Sequence, residues 1–171
     1  EVYAEDGNPH TYTVTESNYQ IKVLQEKGNN RHTIFFPTQK ETLTFQYERD
    51  PTDPRIAHSL ALTIDDFGNP TRSLAVVYPR RAATPHAEQK RLYCTYTEAD
   101  FINKPDAPDF YRIGVPFQQK LYEITGLDSP WWSPAPDKKT PFSKEDLETH
   151  LASATEIPFE AQPGTGIKKR L

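Results

Sequence analysis

The chain has 171 residues, 35% of them hydrophobic and 12% aromatic, enough to bury a core as one domain or as one contiguous piece of a larger one. Twenty Lys and Arg against 24 Asp and Glu leave a formal net charge of -4, and the basic residues are scattered, which argues against nucleic acid or an anionic membrane as the main partner. No apolar run is long enough for a membrane-spanning helix, and no charged, apolar, small-residue leader is visible.

In chain order, the first strand signal runs from Tyr19 to Gln25, ends at Lys27-Gly28-Asn29-Asn30 and returns from Arg31 to Phe36, which predicts a hairpin about a Gly-Asn turn. Lys40 to Glu48 alternates cleanly, setting Leu43, Phe45 and Tyr47 inward and Thr42, Thr44 and Gln46 toward water. Pro51 and Pro54 then break the ladder, because each removes a donor and restricts the residue before it.

Leu60 to Tyr78 is the most informative stretch. Two alternating runs flank Asp65-Asp66-Phe67-Gly68-Asn69, with Leu60, Leu62 and Ile64 on one face and Leu74, Val76 and Tyr78 continuing it on the return strand. Setting Leu62 opposite Leu74 puts Leu60 against Val76 and His58 against Tyr78. That register requires an odd loop, of three or five residues with a bulge, centred near Gly68 at positive φ.

Residues 80 to 88 read as a loose linker. Gln89 to Thr97 and Gln118 to Thr125 read as further strands about a proline-rich loop at 103 to 116. Asp128 to Phe142 holds four prolines beside Trp131 and Trp132 and cannot be regular helix or central strand. Ser143 with Asp146 three residues later predicts a capping box and a short helix through Leu151, the single helix expected. The expected fold is mainly β, an antiparallel sheet of hairpins, shell- or sandwich-like, with one short C-terminal helix. Residues 1–171 are expected to form a single segment of a larger chain, since no Met is present: a β core over 9–127, then a Pro/Trp-rich loop, helix and tail over 128–171.

Catalytic constellations do not emerge. His10, His32, His58, His86 and His150 lack metal-ligand spacing and read as surface or strand-edge residues, and with one cysteine a zinc site is not expected. Cys94 alternates with Leu92 and Tyr96 and reads as a small buried hydrophobe rather than a nucleophile. Adjacent Asp65 and Asp66 read as turn carboxylates bonding nearby backbone donors, not as a glycosidase pair. Asp65, Asp66, Phe67, Gly68 and Asn69 are therefore a structural turn. Trp131 and Trp132 either pin their loop onto the sheet or form a glycan- or peptide-stacking platform. Lys168-Lys169-Arg170 reads as a solvated face. No catalytic, cofactor-binding or metal-binding residue is expected, and no cofactor.

Several ordered motifs carry a resemblance. Pro9 to Tyr19, the run Tyr47 to Arg55, the turn Asp65 to Asn69, Val77-Tyr78-Pro79-Arg80-Arg81, Tyr111-Arg112-Ile113-Gly114-Val115-Pro116 and Tyr122-Glu123-Ile124-Thr125-Gly126-Leu127 resemble the middle/C-terminal region of the B component of bacterial insecticidal toxin complexes, the TcB or TcdB family. The turn is also similar to the Tyr-Asp (YD) repeats of Rhs proteins, from which Phe67 and Pro70 depart. The resemblance implies a secreted virulence assembly in which the B component joins a C component as a hollow β-shell enclosing the C component's toxic part. The implied partners are neighbouring segments of the same B component, the C component and, indirectly, the A-component channel, with no nucleic acid and no membrane contact by this segment. The implied role is structural and non-enzymatic. The alternative from the residues is a freestanding β-sandwich binding module using Trp131 and Trp132, with a hydrolase built on the acidic turn further behind.

Overall fold

The computed structural model describes residues 1–3, 6–7, 9–48, 50–80, 86–128 and 140–171. Six strands form an antiparallel meander in which each pairs with its sequence neighbour: β1 (Thr13–Gln25), β2 (Ile34–Gln46), β3 (Arg55–Ile64), β4 (Pro70–Val77), β5 (Tyr93–Lys104) and β6 (Arg112–Thr125). The chain then leaves the sheet for helix α1 (Lys144–Ser153) and returns as β7 (Thr155–Ile157) and β8 (Lys168–Arg170). β8 pairs antiparallel with the end of β6 and β7 lies parallel on β8, so the order across the eight-stranded sheet is β1-β2-β3-β4-β5-β6-β8-β7. The mainly β, antiparallel architecture with one α-helix among the described residues is the one the alternation predicts.

The core lies on one face. Cross-strand register lines up Leu60, Leu74, Tyr96 and Tyr122 in one row and His58, Val76, Cys94 and Ile124 in the next, all buried. Phe142, just before α1, and Leu147 of α1 are buried in the same cluster, with Leu43 and Phe45 of β2 packed at its margin. The opposite face is exposed, with small side chains at Ala57, Ser59, Ala75 and Thr95 and larger apolar ones at Val77, Tyr93 and Leu121. Cys94 is buried as expected, and desolvation pushes its thiol up to about 12, which leaves it protonated and inert at neutral pH.

Four expectations need correction. The β3–β4 faces are as read, but Leu60, not Leu62, stands opposite Leu74, and His58 faces Val76. The Asp65 carboxylate draws in the amides of Phe67 and Asn69 and closes the loop from Asp65 to Asn69, centred on Phe67 rather than Gly68. A shift of two residues keeps the faces, and irregularities beside Leu62 and Thr71 absorb the strain.

The signals at 31–36 and 40–48 are not two strands but the single β2, which runs through Pro37. β3 pairs only with residues 41 to 46 of β2, so the proline lies where one side of the strand has no ladder to interrupt. β5 begins at Tyr93, after a 3₁₀ turn at Ala87–Lys90, and β5 and β6 extend to Lys104 and from Arg112, shrinking the expected 103–116 loop. Pro116 sits at a bulge on the outer side of β6, again where no partner needs its N–H.

Lys168-Lys169-Arg170 is half-buried strand rather than solvated face. Lys169 Nζ lies 4.0 Å from the Tyr122 ring centroid, 3.6 Å from Glu98 and 3.4 Å from Glu156, and Arg170 pairs with Glu123.

Candidate functional site

The β3–β4 turn sits in a notch. β2 residues 34 to 40 pair only with β1, and β5 beyond Glu98 pairs only with β6, so two long hairpins project past the shorter β3–β4 hairpin on either side. The turn holds both. Asp65 Oδ1 accepts from the backbone N–H of Phe67 (2.9 Å) and Asn69 (2.8 Å), while Oδ2 accepts from the side-chain amides of Asn69 and Asn103, each at 2.9 Å. Asn103, near the end of β5, uses its own oxygen to accept the Gly114 N–H of β6 at 2.8 Å. On the other side Lys22 of β1 reaches Asp66 at 2.6 Å, and the Phe36 ring of β2 lies against Gly68. Asp65 through Asn69 thus forms the β3–β4 turn and also bonds the hairpins on either side of it.

The electrostatics suit a clasp. Desolvation pushes the Asp65 carboxyl up, but the donors on Asn69, Asn103 and Phe67 outweigh it and hold the group below the ordinary carboxylate range. It stays ionised at neutral pH with both oxygens engaged, which suits neither a general acid nor a free base. Asp66 is exposed, and its pair with Lys22 contributes little.

A second clasp joins two of the motifs. Arg80 Nε donates to the buried Asp53 carboxylate at 2.9 Å, tying the Tyr47–Arg55 turn to the end of β4, and the Tyr78 N–H bonds the Ile56 carbonyl at 3.1 Å.

The third constellation corrects the histidine reading. His58 is a fully buried core residue, with Nε2 2.9 Å from Glu41 of β2 and Nδ1 2.9 Å from the Tyr78 hydroxyl, which accepts the Phe142 N–H at 2.9 Å. Its even-numbered place with Leu60 and Leu62 was the sequence signal for burial. Glu-His-hydroxyl order resembles an activated nucleophile. Here burial pushes the Tyr78 phenol up, and the imidazole has no exposed surface through which a substrate could approach. What these groups do is hold the sheet to the segment above it.

Trp131 and Trp132 lie outside the described residues. Among the described residues no cluster of His, Cys, Asp and Glu is arranged to hold a metal ion.

The fold and these clasps define a class: a mostly antiparallel β-sheet in which the side chains of Asp53, His58 and Asp65 fix turns and strand ends. The family described as insecticide toxin TcdB middle/C-terminal region matches residues 1–115. The chain belongs to that family. Similar solved structures are the crystal structure of TcdB2-TccC3-Cdc42, at 24% identity and TM-score 0.60 over 71% of this chain, and that of TcdB2-TccC3 without its hypervariable C-terminal region, at 26% and 0.56 over 66%. The Photorhabdus luminescens Tc holotoxin pore matches at 26% identity and TM-score 0.56 over 66% of this chain. In each case the chain spans about 6% of the other chain's length. Among curated proteins, none matches.

Proposed function

We propose that this segment is a non-catalytic wall element of a toxin-complex B component, contributing strands to a hollow β-shell that encloses the toxic part of the C component in an extracellular assembly. The observation that carries the reading is the likeness of this sheet to chains solved in TcdB2-TccC3 complexes, over two thirds of its length. The open edges support it. Beyond its bridge at Thr13, β1 has no outer partner among the described residues, and β6 has one only at residues 123 to 125. Unpaired strand edges are stable in water only when short, charged or covered, and these are long. In the shell they pair with neighbouring segments of the same chain.

The test uses the full-length B component with its C component. Val23→Pro on β1 and Gln119→Pro on β6 remove edge donors from the two sides of the sheet. The expected result is loss of protease protection of the C component's toxic part. Undiminished protection with both prolines present would sink the wall assignment, and turnover of a glycoside or ester by the segment would replace it with an enzyme.

A further inference from the structure

The Glu41-His58-Tyr78 relay, buried at His58 and Tyr78 and half-buried at Glu41, fixes its own proton positions. With His58 Nε2–H donating to the Glu41 carboxylate, a neutral imidazole leaves Nδ1 bare, to accept the Tyr78 O–H, while the Tyr78 oxygen accepts the Phe142 N–H. The rings follow the same path. Tyr78 lies between His58 and Phe142, with centroids 6.1 Å away on either side, and Phe142 meets His150 of α1 edge-on at 5.7 Å. One imidazole therefore sits at the joint between the sheet and the stretch that begins at Phe142 and covers it.

We infer that His58 is an acid-sensitive latch: a second ring proton loosens the cover from Phe142 through Ser153 while the β1–β6 sheet stays folded. Protonated Nδ1 must donate, which reverses the bond to Tyr78 and turns that hydroxyl away from the geometry that links it to Phe142. It also leaves an imidazolium with no exposed surface, paired on one side only. Moving the cover admits water. Tyr78 joins the β1 to β6 ladders only through its backbone N–H to Ile56, and the turning of its side-chain hydroxyl leaves that bond and the ladders in place.

The titratable groups around the relay are Glu41 from β2 and Tyr78 beyond β4, which bond His58, then Cys94 of β5, beyond Val76 in the same row, and His150 of α1, which meets the Phe142 ring. Tyr78 and Cys94 are pushed up and keep their protons throughout. For His58, burial lowers the pKa from 6.5 and outweighs the opposing pull of Glu41. The opened state takes the proton more readily, so the closed state is favoured above about pH 6.5 and loses ground as pH falls below it.

Hydrogen exchange of the full-length chain, corrected for intrinsic rates, at about pH 7.5 and about pH 5 reads this directly. Peptides over 142–153 should lose roughly tenfold protection in acid, while those over 74–76 and 122–124 hold. His58→Gln, which cannot titrate, should abolish the acid response, and His150→Gln should retain it. Should His58→Gln not fold, Tyr78→Phe cuts the relay and keeps the ring, and the acid response should shrink. Loss of cover and sheet together, no loss in the wild type, or an unchanged acid response in His58→Gln or Tyr78→Phe overturns the latch.

Discussion

Gly68 has a φ of 88°, and a Cβ built there would lie 2.8 Å from Phe36 Cζ, so two separate costs fall on any side chain. Gly68→Val should lower stability by about 1–3 kcal/mol, read from the denaturant midpoint. An unshifted midpoint would mean that Phe36 swings aside and the backbone relaxes. Its neighbour makes a sharper test. Asp65→Ala strands the amides of Phe67 and Asn69 and lets go of Asn103, at about 1–3 kcal/mol. Because the folded-state carboxyl lies below its ordinary 3.8, its contribution is present above that pH and is lost as pH falls through the lowered value. The gap between wild type and Asp65→Ala should therefore narrow in strong acid. A gap that widens instead would refute the clasp. Combining Asp65→Ala with Asn103→Ala should cost less than the two changes summed, since they share a bond.

At the scale of elements, α1 starts where its sequence says it should. Ser143 accepts the Asp146 N–H, and the Asp146 carboxylate accepts the Ser143 N–H in return. Ser143→Ala should cost about 1 kcal/mol. Leu147→Ala, which empties a fully buried site against the sheet, should cost about 2–5 kcal/mol, and thermal melts separate the two. The capping box was legible because its partners are three residues apart, and the β3–β4 faces were legible because strand alternation has period two. What escaped depended on partners distant in sequence. The register turned on which backbone amides Asp65 captures. The reach of β2 past Pro37 and β6 past Pro116 turned on the absence of a neighbouring strand there. β8 is three basic residues, made strand by Tyr122, Glu98 and Glu123 around them. Of the candidate sites, the turn was legible as a turn, but its bonds to Asn103 and Lys22 were not. His58 was set on the right face and then assigned to the surface, because nothing local announces Glu41 or Phe142.

The whole molecule is a sheet with one covered face and two long edges. Tyr19, Ile21 and Val23 on β1 and Val115, Phe117 and Leu121 on β6 are exposed apolar side chains on the edge strands. Residues 1–171 taken alone should be marginally stable, at or below the low end of about 5–15 kcal/mol, and should self-associate. Sedimentation across a concentration series checks this, and Ile21→Lys with Phe117→Lys should suppress the larger species. A strict monomer at every concentration would mean that the edges are harmless as they stand. The nearest-neighbour order of β1 to β6 has a temporal side. Each hairpin can close once its second strand leaves the ribosome, across a short loop everywhere but the longer β4–β5 connection, so the meander can accumulate strand by strand during synthesis. β8 cannot. It must find β6 across more than forty intervening residues and pass Gly126, where any Cβ would collide with the Gly166 carbonyl. β8 is thus the last strand of this sheet to reach β6, and until it does, the lower end of β6 stays open to whatever strand arrives first.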